Sequence, residues 1–310
     1  MKTVDIIIPF YNNSANIPHT LPAFYSLAQN LEKEYAIHFY FVNDASTDNT
    51  LEKLVKEAIR TNVTVLDLSR NFGPSGAVLA GLEESSSDAQ LFTAADLQTP
   101  IETIERMIRS ISDSSKVVLA QRIGRKEPIL GRLFSKTYHK ILKSALPNAP
   151  AGGFDSAIML KQVSQSLIKN ASPSEYLPSL ILWMGFPTIT IPYERQKREH
   201  GKSQWNFTRK ITAALDSFLG YTYGPIRVMS LIGLLFGFLG LCYSSLIVIN
   251  YFQNDSSVSG WSSLMIVLLL SSSFNFLFLG LIGEYVWRGL IASQKRATYI
   301  VNEIYSGDEN

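Results

Sequence analysis

Two long runs without charge in the last third of the chain limit its fold more than any other feature. No charged residue occurs from Val228 to Ile249, nor from Ser256 to Gly283. Each run can supply the roughly 20 apolar residues that a helix needs to cross a bilayer. Both runs lie far from the N-terminus, so neither is a cleaved signal peptide. The sequence therefore predicts transmembrane helices at 227–250 and 264–288, joined by an external loop at 251–263.

Basic residues flank these runs unevenly. They cluster before the first run and follow the second, whereas the connection from Asn250 to Ser263 has no Lys or Arg. By the positive-inside rule, both ends of the predicted hairpin face the cytoplasm and the short connection faces out. We therefore expect a multi-pass protein of the cytoplasmic membrane, with a cytoplasmic N-terminal domain at 1–206 and a cytoplasmic tail at 289–310.

The composition excludes some classes of protein and leaves others open. Charged residues make up only 17 % of the chain, against about a quarter in soluble domains. The net charge of +2 gives no indication of nucleic acid binding, and we expect none. The single cysteine, Cys242, excludes a disulfide framework or a Cys-based zinc site within one chain. Nothing in the sequence fixes the oligomeric state, so a homo-oligomer stays an open alternative.

The first two-thirds of the chain alternates strand-like and helix-like stretches. Val4–Ile8 is a short apolar run, and Asn16–Leu31 carries apolar residues at helical spacing. Further strands are predicted at Ala36–Val42, Val63–Leu68, Gln90–Thr93 and Lys116–Ala120, and further helices at Thr50–Arg60, Ser75–Glu84 and Ile101–Ile111. This alternation predicts an α/β fold, with a mostly parallel sheet and helices on both faces.

The segment between this domain and the first apolar run has its own pattern. Phe207, Ile211, Leu215 and Phe218 share one helical face, and a membrane span follows directly. We predict an amphipathic helix lying in the membrane interface, within 207–226. A helix that packs onto a protein core is the alternative.

Polar residues follow four of the predicted strands. They occupy Pro9–Asn13, Asn43–Asp48, Ser69–Gly73 and Ala94–Gln98. Turn formation alone explains some of them, but ligands of parallel sheets bind at the carboxyl ends of the strands. Four such segments on one sheet edge favour a nucleotide pocket. A redox dinucleotide fold is a poor alternative, because no G-x-G-x-x-G follows the first strand.

Several motifs, taken together, resemble one family. They are IIIPFYNN from Ile6, FVNDASTDNT from Phe41, LSRNFGPSGAVLAG from Leu68, AADLQTP from Ala94, GGFD from Gly152, ERQKREHGKSQW from Glu194, YGPIR from Tyr223 and GEYVWR from Gly283. By these motifs the chain resembles the family 2 glycosyltransferases. Within that family it is similar to the polyprenyl-phosphate glycosyltransferases, the group of dolichol-phosphate mannose synthase and the bacterial undecaprenyl-phosphate sugar transferases.

The resemblance implies a nucleotide-diphospho-sugar-binding domain of the GT-A type and a set of donor-binding residues. The implied residues are Pro9, Tyr11, Asn13, Asp44, Arg70, Asp96, Arg122 and Arg125. Pro9, Tyr11, Asn13 and Asp44 would hold the base and ribose. Arginines suit the phosphates, because a guanidinium can bind phosphate through two N–H groups.

The resemblance also implies Mg²⁺ or Mn²⁺ at Asp96 and Gln98, which makes Asp96 a catalytic residue. A hard cation with oxygen ligands neutralises the charge that develops on a diphosphate leaving group. In an extended segment, residues two apart point the same way, so these two side chains can meet one ion. Most relatives have an acid where this chain has Ala94, and Asn43 and Thr99 replace usual aspartates. With one ligand missing, we expect the metal to bind mainly together with the donor.

On the acceptor side, the resemblance implies Arg195, Arg198 and Ser203 as phosphate-binding residues. Asp155, which follows Gly152 and Gly153, matches the family's candidate catalytic base. A phosphate acceptor is already an anion at neutral pH, so it needs orientation more than deprotonation. A purely structural turn after the two glycines is the competing interpretation of Asp155.

The sequence thus predicts an enzyme that transfers a sugar from a nucleotide diphosphate, with a UDP-sugar favoured, to a polyprenyl phosphate such as undecaprenyl phosphate. The resemblance implies inversion of the anomeric centre and assistance by a metal. Two alternatives stay open. A processive polysaccharide synthase would carry a Q-x-x-R-W motif, but Gln196 is followed by Lys197 and Arg198. A catalytically silent membrane scaffold is suggested by the missing acid at Ala94.

Overall fold

The computed structural model describes most of the chain in two compact units. The described residues are 2–123, 149–150, 152–173, 176–196, 224–253, 260–294 and 296–307. The described residues up to 196 and those from 296 onward form one unit, and those from 224 to 294 form the other. The first unit holds a β-sheet with its helices, and the second holds two long helices.

The sheet of the first unit has eight strands in the order β7-β5-β6-β4-β1-β2-β3-β8. The strands are β1 (Lys2–Phe10), β2 (Tyr35–Asn43), β3 (Val63–Leu68), β4 (Ala89–Phe92), β5 (Val117–Ile123), β6 (Phe154–Leu160), β7 (Thr188–Glu194) and β8 (Val301–Ser306). β6 and β8 pair antiparallel with their neighbours, and the other strands run parallel to one another. The predicted α/β fold with a mostly parallel sheet is therefore confirmed.

Within the described residues of this unit, six helices connect the strands. They are α1 (Ile17–Leu31), α2 (Thr50–Val55), α3 (Gly73–Glu84), α4 (Ile101–Ser110), α5 (Lys161–Asn170) and α6 (Leu177–Trp183). The helix predicted at Thr50–Arg60 is α-helical only to Val55 and continues as a 3₁₀ turn at Lys56–Ile59. Such a turn is common at the end of an α-helix, where the last carbonyl groups lack helical partners.

Alternate residues of β1 pack against helices on opposite faces of the sheet. Ile6 and Ile8 belong to one core cluster with Leu21 and Phe24 of α1. Ile7 points the other way, where a β-carbon added to Gly81 of α3 would lie only 2.4 Å from its Cγ2 atom. Since side chains alternate along a strand, helices cover both faces, as predicted.

The C-terminal residues differ from the expected tail. Residues 289–310 were expected to form only a cytoplasmic tail after the second helix. Instead, Val301–Ser306 forms β8 and pairs antiparallel with β3 at the edge of the sheet. Little in the sequence indicates this strand, because VNEIYS is short and polar and its partner, Val63–Leu68, lies far earlier in the chain. The α/β unit is therefore formed by both ends of the chain.

The second unit consists of α7 (Gly224–Gln253) and α8 (Trp261–Ser293). Phe236 of α7 and Phe274 of α8 pack with ring centroids 4.4 Å apart. Large apolar side chains are exposed along both helices, among them Leu239 and Phe276. Exposed apolar side chains of this number are unusual in water, because burying apolar area drives folding.

The two predicted spans at 227–250 and 264–288 differ in how far the described residues support them. Within α8, Leu270–Ile291 is long and apolar enough to cross a membrane. Within α7, the described apolar stretch, Met229–Gly240, is shorter. The described residues thus contain one candidate span, so the span at 227–250 and the external loop at 251–263 remain predictions.

The close approach of α3 to β1 leads to a prediction about stability. Gly81→Ala should destabilise the α/β unit by about 1–3 kcal/mol, because the added methyl group collides with Ile7 in a filled core. Denaturant unfolding of the purified chain measures this loss, and Glu83→Ala, exposed on the same helix, is the control. Adding Ile7→Ala should remove the collision. A Gly81→Ala protein as stable as the parent would contradict the packing described here.

Candidate active site

Three residues with left-handed backbone mark the carboxyl edge of the sheet. Asn12 follows β1 with φ 47°, Ala45 follows β2 with φ 51°, and Leu97 follows β4 with φ 52°. This conformation costs roughly 1–2 kcal/mol for a residue that has a β-carbon. It persists only where the surrounding contacts hold it, and such residues cluster at functional sites. The edge is therefore the candidate site, as the sequence predicted.

Hydrogen bonds join the loop after β1 to the loop after β2. Asn12 donates its backbone N–H to Ser46 Oγ at 3.0 Å, and its own Oδ1 accepts the N–H of Thr47 at 2.7 Å. Asn13, a predicted donor-binding residue, donates its N–H to Thr50 Oγ1 at 2.9 Å. These bonds make the two loops one connected wall of the site.

Asp48 fixes the outer end of the same wall. Its carboxylate accepts the N–H of Ser14 at 3.2 Å and the N–H of Thr50 at 3.1 Å. Burial alone would raise the pKa of Asp48, but the hydrogen bonds from Thr50 and Ser14 outweigh it and lower the pKa. Pro9 and Tyr11, predicted to hold the base and ribose, lie half-buried beside this wall, at the end of β1 and just after it.

Asp44 holds a neighbouring loop in place, and its predicted contact with the base and ribose remains a prediction. Its two carboxylate oxygens accept the N–H groups of Phe72 and Gly73 at 2.7 and 2.9 Å, and its backbone N–H donates to Phe10 O. Burial raises the pKa of Asp44, and the two backbone hydrogen bonds oppose that rise. Asp44 thus fixes the loop after β3. That loop presents Arg70, which is exposed and stacks its guanidinium 4.5 Å from the centre of the Phe72 ring.

Asp155 lies between two arginines on the other side of the site. Arg122, at the end of β5, places Nε 3.3 Å from Asp155 Oδ2, and Arg195, just after β7, places Nε 3.9 Å from the same oxygen. Tyr193 donates its hydroxyl to this oxygen at 2.7 Å. Burial and the charge of Asp155 raise the pKa of Tyr193, so the phenol stays protonated and donates. The predicted base and two predicted phosphate-binding arginines therefore form one group.

The two glycines before Asp155 are needed by the backbone. Gly152 and Gly153 have φ of +91° and +72°. A β-carbon on Gly152 would lie 2.4 Å from the carbonyl oxygen of Arg122, and Arg122 donates its N–H to Gly153 O at 3.2 Å. The structural and functional interpretations of this motif are therefore compatible, because the turn places Asp155 beside Arg122.

A buried group of hydroxyls surrounds Ser156, the residue after Asp155, and the sequence did not predict it. Ser156 is fully buried, and its Oγ lies 2.7 Å from Thr93 Oγ1 and 3.0 Å from Thr99 Oγ1. Thr99, which replaces a usual aspartate of the family, was the one available signal. The hydroxyls connect the segment after β4 to β6 at the residue that follows Asp155.

The structure corrects the expected geometry of Asp96 and Gln98. The segment after β4 is not extended, because Asp96 lies in a turn and Leu97 is left-handed. Asp96 Oδ1 accepts the N–H of Gln98 at 3.2 Å. Gln98 is buried, and its Oε1 accepts a hydrogen bond from Arg195 Nη2. Ala94 is exposed. The three positions therefore do not share one face, and Gln98 contacts an arginine where a metal was expected.

A divalent cation fits Asp96 but not Gln98 in this arrangement. Mg²⁺ commonly binds through one or two carboxylates together with substrate phosphates and water, and Asp96 offers a half-buried carboxylate at the strand end. The carbonyl oxygen of Gln98 already accepts from Arg195. Within the described part of the chain, no group of three His, Cys, Asp or Glu side chains could hold a metal alone. Such a cation would need oxygens from the donor.

Some predicted residues lie outside the described part of the chain. These are Arg125, Arg198 and Ser203, together with the predicted interfacial segment at 207–226 up to residue 223. Their roles remain predictions.

Comparison with known proteins identifies the family. Residues 5–164 match the sequence model described as Glycosyl transferase family 2. Because this match covers half of the chain, the protein belongs to glycosyl transferase family 2 and is a glycosyltransferase. Its mostly parallel α/β sheet is the GT-A-like fold that the resemblance implied.

Relatives match almost the whole chain. The bactoprenol glucosyl transferase of Shigella phage SfII is 28% identical over 313 residues, which cover 98% of this chain and 99% of that protein. The glycosyltransferase YkcC of Bacillus subtilis (strain 168) is 29% identical over 308 residues, 98% of this chain and 94% of that protein. Among solved structures, a mannosyltransferase of Pyrobaculum calidifontis in complex with GDP-Man and Mn²⁺ aligns with a TM-score of 0.45 and 20% identity, over 61% of this chain and 54% of that one.

The contact between Tyr193 and Asp155 leads to a prediction about catalysis. Tyr193→Phe should lower the rate of glycosyl transfer about tenfold, because a hydrogen bond to a partly buried carboxylate contributes roughly 1.5–3 kcal/mol. Donor affinity should change less than about twofold, since Tyr193 donates to Asp155, which is predicted on the acceptor side. Tyr305→Phe is the matched control, because Tyr305 donates to Glu303 with the same 2.7 Å geometry on β8. Equal rates for the two variants would contradict the role given to Tyr193.

Proposed function

We propose that the protein transfers a sugar from a nucleotide-diphosphate sugar, with a UDP-sugar as the first candidate, to a polyprenyl phosphate such as undecaprenyl phosphate. The reaction takes place at the cytoplasmic face of the membrane and inverts the anomeric centre. The observation that carries this proposal is the group of Arg122, Asp155 and Arg195 at the carboxyl edge of the sheet.

Two further observations support a lipid phosphate as acceptor. A relative that matches nearly end to end is named for glucosyl transfer to bactoprenol. The chain also carries long exposed apolar helices, including the candidate span Leu270–Ile291. An enzyme with a soluble acceptor needs neither an apolar anchor nor a site close to a bilayer.

Because Arg122 lies with Arg195 beside Asp155, we reassign it from the donor, where the resemblance placed it, to the acceptor: both arginines would orient the acceptor, and Asp155 would orient the arginines. Both guanidinium groups lie close to one carboxylate oxygen, which holds them together despite their like charges. An acceptor phosphate oxygen attacks the anomeric carbon and forms the new C–O bond. The bond from that carbon to the diphosphate oxygen breaks, and the electron pair leaves with the nucleotide diphosphate. A single displacement of this kind inverts the anomeric carbon.

The donor diphosphate would lie between Asp96 and the loop after β3. Arg70 is exposed on that loop, and Arg125 remains a predicted contact of the donor. Arg198 and Ser203 remain predicted contacts of the acceptor phosphate. A bound Mg²⁺ or Mn²⁺ supplies positive charge to the leaving diphosphate, and Asp96 would hold it together with the donor. Arg195 must then leave Gln98 before that side chain can become a further ligand.

The return of the chain to its sheet supports the proposed topology. β8 comes after both long helices in sequence but pairs with β3, which comes before them. A single crossing would leave β8 on the opposite side of the membrane from β3, so the number of crossings is even. We therefore propose two spans, at 227–250 and 264–288, with an interfacial helix within 207–226 and the loop 251–263 outside. The catalytic domain then comprises residues 1–206 and β8.

An assay of the full chain in detergent tests the proposed reaction. Radiolabelled nucleotide sugars are offered with undecaprenyl phosphate, and the product should be a lipid that extracts into organic solvent and releases its sugar in mild acid. Asp96→Ala or EDTA should reduce transfer at least about a hundredfold, because the only carboxylate of the segment, or the metal, is lost. Asp113→Ala, an exposed carboxylate in another loop, should behave as the parent.

The same assay separates the alternative functions. Insoluble polymer would identify a processive polysaccharide synthase, and an absence of transfer with every nucleotide sugar would indicate a silent scaffold. Full activity in EDTA would overturn the metal-assisted mechanism while leaving the acceptor in place.

Reporter fusions test the topology. A cytoplasmic reporter fused after Asn310 should be active, and a periplasmic reporter inserted within 255–260 should be active as well. An inactive cytoplasmic reporter after Asn310 would contradict the even number of crossings. An inactive periplasmic reporter in the loop would contradict the two spans, and both helices would then lie on one side of the membrane.

A further inference from the structure

The segment after the second long helix lies against the loop that follows β3. Ser69 donates its N–H to Ile300 O at 3.0 Å, directly beyond the last residue pair of the β3–β8 ladder, Leu68 with Val301. A β-carbon on Gly76 of α3 would lie 3.0 Å from Thr298 O. Residues 298–301 therefore support the loop on which Arg70 is exposed.

β8 also affects the loop after β2, through the carboxylate of Asp67, which binds a residue of each strand. Asp67 is mostly buried, and its two oxygens each accept one side-chain amide. Asn43 Nδ2 donates to Oδ1 at 2.7 Å, and Asn302 Nδ2 donates to Oδ2 at 3.1 Å. Of these two amide groups, the one of Asn302 comes from β8. A mostly buried carboxylate needs such partners, because an unpaired charge away from water is costly.

The chain of hydrogen bonds continues from Asn43 into the wall of the site. Asn43 Oδ1 accepts the N–H of Ser46 at 3.3 Å, and Ser46 Oγ accepts the N–H of Asn12 at 3.0 Å. The backbone of this wall is strained, with left-handed residues at Asn12 and Ala45. A left-handed backbone persists only where its neighbours hold it. Asn302 thus lies at one end of a series of bonds, and the other end lies in the loop after β1.

We propose that Asn302 is a positioning residue for the nucleotide-sugar donor. It holds the carboxylate of Asp67, which holds Asn43, and Asn43 in turn fixes the loop after β2. Asn302 does not touch the donor in this arrangement, so its effect appears in donor binding and not in the chemical step. This inference rests on the proposed function, and it assigns part of the donor site to a strand outside residues 1–206.

Steady-state kinetics of the full chain test the inference. Asn302→Ala should raise the KM for the nucleotide sugar about five- to tenfold, less than the full effect of losing one hydrogen bond to a charged group because Asn302 acts through Asp67 and Asn43, and should leave kcat within about twofold. Ile304→Ala is the control, because Ile304 is exposed on the same strand and its aliphatic side chain cannot donate a hydrogen bond to Asp67. Equal effects of the two substitutions on the KM would contradict the proposal, because Asn302 would then only stabilise β8.

A charge exchange gives the sharper test. Asn302→Asp places two carboxylates about 3 Å apart, where like charges repel, and should raise the KM more than Asn302→Ala does. Adding Asp67→Asn restores one carboxylate and one amide, since the new amide at position 67 can accept from Asn43 and donate to the new carboxylate at position 302. The double variant should therefore recover a KM within about threefold of the parent. Failure to recover, in a protein that unfolds at the parent temperature, would overturn the proposal.

The outcomes for the proposed function and for this inference are separable. A parent chain that neither binds nor uses any nucleotide sugar would defeat the proposed function. If the parent chain is active and the Asn302→Ala variant has an unchanged KM, only the role proposed for Asn302 is contradicted.

Discussion

The parallel pairing of β1 with β2 on one side and β4 on the other is the constraint on which the site depends. Parallel strands end at the same edge of a sheet, so the polar segments after them meet although they are far apart in sequence. The left-handed residues Asn12, Ala45 and Leu97 occur where three of these strands end. The core beneath, with Ile6 and Ile8 on one face, supplies the stability that holds such strained loops.

Carboxylates at this edge act mainly as fixed acceptors that organise their neighbours. Asp44 accepts two backbone N–H groups of the loop after β3, and Asp67 accepts two side-chain amides. Asp155 accepts the hydroxyl of Tyr193 and lies beside two guanidinium groups. Hydrogen bonds to a charged acceptor are stronger than those between neutral groups. A few acids can therefore fix several loops before any substrate arrives, which reduces the ordering that binding must supply.

The sequence predicted the parts of this structure that depend on local pattern. Apolar periodicity indicated β1 to β5 and α1 to α4, and polar strand ends indicated the sheet edge that holds the candidate site. β6, β7, α5 and α6 were not predicted. The family resemblance named Asp155, Arg122 and Arg195, but it assigned Arg122 to the donor and the other two to the acceptor side, so it did not predict that they form one group. What the sequence missed depends on contacts between distant segments. The turn at Asp96 and the burial of Gln98 depend on Arg195, which is 97 positions from Gln98, and no pattern within AADLQTP reports that contact. β8 was missed for the same reason.

The position of β8 also has a consequence for how the protein is made. During synthesis from the N-terminus, β3 is complete long before Val301–Ser306 leaves the ribosome, because both long helices come between them. Until then the outer edge of β3 presents unpaired backbone N–H and C=O groups, and an open strand edge readily pairs with other chains. The sheet is therefore the last part of the molecule to close. A nascent chain that stalls after its helices keeps an open edge, which distinguishes it from a finished molecule.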